Sequence, residues 1–198
     1  MNNILALWVD YPEFGKLFLA EIYNTCRYVI PSIPAPLSEG AGRAEYEERG
    51  YKYEDGTVEK QDLFVTRMSG VARLFACVSV SLLPIGQQNK DHPFGLGNIW
   101  RWLTSTMNLP PVNDITATLI YDVLEVTAAP LFEKYRKHFL EVIRLLNEEY
   151  IPKIREATVE GRGGPIDRLQ ALIKKILTNP SALKLPPAAK LKSGMNFL

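Results

Sequence analysis

Two carboxylates on one helical run are the residues whose types and spacing best suit chemistry. Asp122 and Glu125 are the only charged residues in the stretch 115–129. At a spacing of three they share a helix face, where paired carboxylates could divide general-acid and general-base roles. No nucleophile or histidine accompanies them, and a buried pair is costly unless basic residues meet it. We therefore expect a salt-bridged or partly exposed seam between helices, with acid/base catalysis as the alternative.

Two glycine-containing segments could hold a phosphate. "GLGNIW" (95–100) begins like a dinucleotide-binding fingerprint, but Trp100 replaces the third glycine and no strand precedes it, which favours a plain loop. "EGRGGPIDR" (160–168) places two glycines before a helix start, which favours an ordinary turn; anion binding by the backbone N–H groups is the alternative. The candidate phosphate-binding residues around this second segment are Lys153, Arg155, Arg162 and Arg168.

The histidines and cysteines do not form a recognisable site. His92 and His138 stand alone in sequence, which favours solvated or structural roles. Cys26 and Cys77 each lie inside an apolar helical pattern, so a disulfide framework or a zinc site is not expected, and a reducing compartment fits. Local motifs offer no Ser/His/Asp or Cys/His arrangement. The sequence therefore predicts no catalytic residues and no metal ligands.

Composition describes one globular domain of ordinary charge. The 198 residues are 46% hydrophobic and 23% charged, with a formal net charge of +1. These values disfavour a disordered chain or a membrane-spanning protein, and the total charge indicates no strong field toward nucleic acid. The opening "MNNILALWV" is too short for a signal peptide or a spanning helix, and its immediate apolar pattern suggests that the chain begins within a helix.

The elements that position these residues all follow a helical period. Proline-rich residues 29–38 predict an extended loop, and no convincing alternating strand is visible. We expect an all-α protein of antiparallel helix pairs, which resembles a helical-repeat stack more than a closed bundle. The predicted helices are 3–9, one from Pro12, a short exposed helix within 43–55, 58–83 capped by Thr57, 96–107, 114–128 capped by Asn113, 131–149 from a joint at Ala129-Pro130, and 165–177.

Aromatic residues point to a docking surface. Core burial is the favoured interpretation of both tryptophans. Docking is the alternative, because Trp100, Trp102, Phe197 and the apolar helix 114–128 carry more apolar area than a small domain can bury easily. The tail 180–198 carries three lysines, Lys184, Lys190 and Lys192, and ends in Phe197 and Leu198. The predicted partner-binding residues are Trp100, Trp102, Phe197 and Leu198.

Four segments carry a resemblance to a known family. They are "GLGNIWRWLTSTMNLPPVNDITATLIYDVLEV", "YPEFGKLFLAEIYNTCRYVIP", "EKQDLFVTRMSGVARLFA" and "EEYIPKI". From about residue 4 to about residue 195 the chain resembles the C-terminal domain of the Gle-one family, the nuclear mRNA export mediators of the cytoplasmic face of the nuclear pore. The chain lacks the first helices of that domain, so residues 1–179 are expected to form a partial HEAT-like domain, and 180–198 a basic tail with a docking end.

The resemblance implies a regulator without enzymatic activity. The family activates a DEAD-box RNA helicase together with inositol hexakisphosphate, docks to an FG nucleoporin, and has links to translation initiation and termination. In the family most inositol phosphate contacts come from the helices missing here, so its ligands are not carried over to numbered positions, and the cofactor is expected in the full domain. A helical adaptor of the translation machinery that shares only the fold is the alternative. The implied location is the nuclear envelope at the pore, and the cytoplasm.

Overall fold

A computed structural model describes residues 2–32, 37–38, 40–112, 115–158 and 163–184. Within these ranges the chain is built from α-helices and one small hairpin. The elements are α1 (Asn2–Asp10), α2 (Pro12–Thr25), α3 (Arg43–Glu48), β1 (Tyr53–Glu54), β2 (Thr57–Val58), α4 (Gln61–Val80), α5 (Leu96–Met107), α6 (Thr116–Tyr135), α7 (Lys137–Leu145), α8 (Ile151–Ala157) and α9 (Gly164–Thr178). The predicted all-α, HEAT-like fold is confirmed.

Helix α6 forms the centre of the molecule and packs between α4 and α9. It is buried around most of its circumference because nearly every residue in it is apolar or small. Helix α4 contributes Phe64, Met68, Ala72 and Phe75 to the buried core. By length and composition alone α4 could also span a membrane, a property that the core helices of soluble proteins share.

The first two helices pack against each other through the Trp8 indole of α1, which lies directly on Gly15 of α2. Pro12 occupies the first turn of α2, where its missing N–H costs nothing. Trp8 of α1 is 8% exposed, and its ring stacks on Phe94 with centroids 5.7 Å apart. A Cβ placed on Gly15 would lie 1.8 Å from Trp8 Nε1. The close approach of α1 and α2 therefore depends on the absence of a side chain at position 15.

A short hairpin departs from the purely helical prediction. Strands β1 and β2 pair antiparallel around Asp55 and Gly56, whose φ values are 50° and 76°. Positive φ at both central residues makes a tight two-residue turn, for which Asp-Gly is a favoured pair. The cap predicted at Thr57 is wrong because this residue lies in β2 and α4 starts at Gln61, after Lys60.

The joint predicted at Ala129-Pro130 is also wrong. Helix α6 continues through Pro130 to Tyr135, and the chain turns at Arg136, which has a φ of 48°. One proline removes one backbone hydrogen bond, and the burial of the flanking Ala128 and Leu131 offsets that loss. The predicted cap Asn113 lies outside the described residues.

A π-helical turn, Leu146–Tyr150, connects α7 to α8. Pro152 follows it in the first turn of α8, and its ring would clash with the carbonyl four residues earlier in a regular helix, which a widened turn relieves. The turn directs the buried Tyr150 toward α5, where its hydroxyl donates a hydrogen bond to the Thr106 carbonyl at 2.9 Å. The end of α5 is thus tied to the C-terminal helices.

Candidate functional site

A basic groove runs between α4, α6 and α9, with a volume of about 510 Å³. Four of its lining side chains are cationic and come from separate segments of the chain. Arg73 belongs to α4, Arg168 and Lys175 to α9, and Lys184 follows the final 3₁₀ turn. The other lining residues are Tyr121, Leu124, Glu125, Ala128, Ala129, Ala171, Leu172 and Leu183.

The two carboxylates singled out in sequence meet a single arginine, and one of them, Glu125, lines this groove. Arg73 Nη1 donates to Asp122 Oδ1 at 3.2 Å and also to Glu125 Oε2. Asp122 is 5% exposed, and its second oxygen has no hydrogen-bond partner among the described residues. The predicted salt-bridged seam between helices is confirmed, and it links α4 to α6.

The electrostatics of the seam oppose an acid/base role. Burial raises the pKa of Glu125, but hydrogen bonds from Arg73 and from the Tyr121 hydroxyl, at 3.0 Å from Glu125 Oε1, outweigh it and lower the net value. The hydrogen bond to Glu125 raises the pKa of Arg73. Both groups are therefore held in their charged forms at neutral pH, where a general acid would need a raised carboxyl pKa.

Arg168 covers Tyr121, the only aromatic side chain that lines the groove in the described part of the chain. Its guanidinium lies 5.6 Å from the centroid of Tyr121, a cation–π distance. Burial, followed by the bond to Glu125, raises the pKa of the Tyr121 hydroxyl. Tyr121 therefore makes two contacts. Its hydroxyl donates to Glu125 of the seam, and a face of its ring is covered by Arg168.

The predicted phosphate-binding residues do not converge. Arg168 lies in the basic groove, whereas Arg155 binds Asp167 at 3.2 Å and Gln170 at 2.6 Å. Lys153 lines a separate surface depression with the Pro110-Pro111 turn. Arg162 lies outside the described residues. The sequence analysis did not identify Arg73 and Lys175 as neighbours of Arg168 in a basic groove. The spacing of Arg168 and Lys175 could have indicated this in part, because residues seven apart lie on one face of a helix.

An apolar cleft of about 380 Å³ lies on the other side of α4, beside the chain that follows α2. Trp102 forms part of its wall; the indole is 3% exposed and donates to the Tyr28 carbonyl at 3.1 Å. Ile30, at the edge, is 43% exposed. The cleft is lined by Tyr23, Val29, Ile30, Pro31, Phe75, Phe94, Asn98, Arg101, Trp102 and Ser105.

The two tryptophans of α5 pack in different parts of the molecule. Trp100 is half-buried and packs on Tyr135 at the end of α6, with centroids 4.4 Å apart. Two residues apart on a helix, Trp100 and Trp102 point in widely different directions. A partner in the cleft would therefore contact Trp102 without Trp100. The predicted docking residues Phe197 and Leu198 lie outside the described residues.

Within the part of the chain that the structure describes, the histidines and cysteines do not join acidic residues in a group that could bind a metal ion. His92 is half-buried: its Nδ1 accepts the Phe94 N–H at 3.0 Å, so Nε2 carries the proton and donates to the Ser81 carbonyl at 3.0 Å. His138 pairs with Glu141 on the exposed surface of α7 at 3.5 Å. Burial raises the pKa of Cys26 to about 11, so this thiol is protonated at neutral pH.

Comparisons with known proteins agree with one another. The sequence model of the family described as "GLE1-like protein" matches residues 3–147. The chain is 38% identical over 173 residues to a mouse (Mus musculus) protein named "mRNA export factor GLE1", covering 87% of the chain and 25% of the relative. It is 32% identical over 178 residues to the Drosophila melanogaster protein of that name. The chain spans about a quarter of the length of these relatives.

A solved structure shares the fold. It is described as the Saccharomyces cerevisiae Dbp5 L327V C-terminal domain bound to Gle1 and IP6. The TM-score is 0.77 at 22% sequence identity, and the match covers 92% of this chain and 60% of that chain. A second structure, with the H337R variant of Gle1, gives a TM-score of 0.72 at 24% identity.

Proposed function

The chain belongs to the GLE1-like protein family, and on that premise we propose that it is part of an mRNA export factor that regulates a DEAD-box RNA helicase. It acts by holding the helicase rather than through a reaction of its own. The observation that carries this proposal is the fold. Over 92% of the present chain it matches a Gle1 chain that is in complex with the Dbp5 C-terminal domain and IP6. The neutralised seam of Arg73, Asp122 and Glu125 supports a packing role for the best catalytic candidates.

Within the whole export factor, this chain supplies the later helices of the helicase-binding domain. Inositol hexakisphosphate acts as a tether to the helicase in that complete domain, at the cytoplasmic face of the nuclear pore. Because the predicted phosphate ligands of this chain do not converge, the tether is held mainly by the rest of that domain. Residues 180–198 form a basic tail that ends in a docking segment.

A chimera tests the helicase role. The matching segment of the mouse relative, 173 residues, is replaced by the corresponding part of this chain. The chimera should bind the helicase C-terminal domain only when inositol hexakisphosphate is present, as measured by isothermal titration calorimetry. The unmodified mouse protein is the positive control. A folded chimera that does not bind the helicase under conditions in which the mouse protein does would contradict the proposal.

The apolar cleft supports docking of an FG nucleoporin. Its wall contains Phe75, Phe94 and Trp102, and its edge exposes Ile30, so a phenylalanine side chain of the partner would be surrounded by rings and aliphatic groups. Arg101 and Asn98 supply the polar rim. Trp102 and the neighbouring rings, together with the terminal Phe197 and Leu198, are the proposed contacts, while Trp100 contributes through the stability of α5.

Calorimetry with a peptide from the nucleoporin C-terminus tests this docking. Ser105→Arg introduces a charged side chain at the cleft and should weaken binding at least about tenfold. Asn108→Arg, at the exposed end of α5, is the matched control and should bind like the wild type. The absence of heat and of thermal stabilisation with the wild-type chain would disprove docking.

A further inference from the structure

The basic groove carries positive charge that the fold does not use. Arg73 is neutralised by the seam, and Arg168 is held over Tyr121. Lys175 and Lys184 form no ion pair among the described residues, although Lys175 contributes to the field at Glu125. Cationic side chains that need no partner for folding are free to meet an anionic one.

The floor of the groove is aliphatic rather than polar. Leu124 and Ala128 of α6 are buried beneath it, while Leu172 and Leu183 are half-buried at its sides. A small polyanion would satisfy the lysines and leave the accessible parts of Leu172 and Leu183 covered only by water. A ligand that fits both features therefore carries negative charges and at least one aliphatic side chain.

We propose that this groove docks an acidic protein segment, with an aliphatic side chain packed against the half-buried Leu172 and Leu183 and carboxylates on Lys175 and Lys184. A single-stranded RNA fits less well. Such RNAs bind through bases stacked on free aromatic faces, and Arg168 already covers a face of Tyr121, the only ring among the described residues that line the groove. The inference does not depend on helicase regulation, since it follows from this groove alone.

The partner surface has two parts that can be varied separately. Lys175 and Ala171 are both exposed on α9, so substitutions at either position leave the core untouched. Lys175→Glu with Lys184→Glu reverses the free charges. Ala171→Trp instead fills the groove without changing its charge. Lys137→Glu with Arg144→Glu, on the exposed surface of α7, gives a matched charge control.

The test selects random peptides from a display library against the full 198-residue chain. Selected peptides should be enriched in Asp and Glu around a Leu, Ile or Met. By fluorescence anisotropy, their affinity should fall at least about tenfold in the Lys175→Glu/Lys184→Glu variant and in Ala171→Trp, but not in the α7 control. Circular dichroism melts establish that each variant is folded.

Five outcomes would overturn the proposal. Selection could yield no binders, or binders without acidic enrichment. Acidic binders could keep their affinity in both groove variants. Scrambled peptides could bind as well as the selected ones, which would show that the groove attracts negative charge without recognising a sequence. A labelled oligouridine could bind more tightly than any selected peptide and lose its binding in the charge-reversed variant, which would assign the groove to RNA.

Discussion

At the scale of single residues, Arg67 joins parts of the chain that are far apart in sequence. Its guanidinium binds the Glu59 carboxylate and donates to the Gly50 carbonyl at 2.8 Å. The side chains of Arg67 and Glu59 are 21% and 10% exposed. The hydrogen bond from Arg67 keeps the pKa of Glu59 below its ordinary value although burial opposes this. The pair therefore anchors the hairpin region to α4.

Replacing Arg67 with methionine should destabilise the fold by about 2–3 kcal/mol, because Glu59 would remain mostly buried without its cation. Urea unfolding at pH 7 measures the change. Arg43→Met removes an exposed pair with Glu47 and should alter stability by less than about 0.5 kcal/mol. Equal effects of the two substitutions would contradict the assigned anchor.

The contribution of the Arg67–Glu59 pair to stability should also depend on pH. Since the pKa of Glu59 is depressed in the folded state, this contribution is fully present above the unfolded pKa of Glu59 and is lost as pH falls through the folded pKa.

His92 should make stability depend on pH in the mildly acidic range. Burial lowers its pKa in the folded state, so between the folded and unfolded values the unfolded chain binds more protons. Stability should therefore rise with pH through this window and level off above the unfolded pKa. His92→Asn keeps a side-chain acceptor for the Phe94 N–H and should remove this dependence. Thermal melts across the window measure both chains; an unchanged pH profile in the variant would disprove the role of His92.

The seam illustrates what sequence can say about single residues. The spacing of Asp122 and Glu125 predicted that a basic group must meet them. The identity of that group did not follow, because Arg73 lies 49 residues from Asp122 and is brought to it only by the packing of α4 on α6. The same holds for the basic groove, whose cations come from separate elements. Local spacing could have paired Arg168 with Lys175 but not with Arg73.

At the scale of elements, two glycines in helices should respond oppositely to alanine. In Gly15→Ala the new Cβ would overlap the Trp8 indole, so α1 must shift and the fold should lose about 1–3 kcal/mol. Gly70, exposed within α4, has no atom within 4 Å of its added Cβ. Gly70→Ala should therefore stabilise the fold by about 0.5–1 kcal/mol through helix propensity. Chemical unfolding of both variants tests the pair, and a neutral Gly15→Ala would contradict the close contact of α1 and α2.

Helix boundaries followed the sequence where local signals agreed. The prediction for α5, 96–107, matches Leu96–Met107, because Gly95 precedes it and the Pro110-Pro111 pair limits its extension. The prediction failed where burial overrode a local signal, as at Pro130 inside α6. It also failed at Asp55-Gly56, whose hairpin signal was concealed by the helical pattern of α3 just before it. Tertiary packing decides such cases.

At the scale of the whole molecule, separate surfaces flank one helical centre. The seam that fixes α4 to α6 also forms part of the basic groove, and α4 and α5 shape the apolar cleft through Phe75 and Trp102. Because these elements pack on one another, the two surfaces keep a fixed relation to each other. A fixed relation between two surfaces is what the proposed holding of partners requires.

The most direct test of this account is the ATPase rate of the helicase in the presence of the chimera. The chimera should stimulate RNA-dependent ATP hydrolysis when inositol hexakisphosphate is present and lose most of this stimulation when it is omitted, as the mouse protein does in parallel. The substitution Asp122→Ala with Glu125→Ala, in a chimera shown to be folded, should leave the stimulation intact because these carboxylates serve packing. A folded chimera that leaves the ATPase rate unchanged while the mouse protein raises it would contradict the central claim.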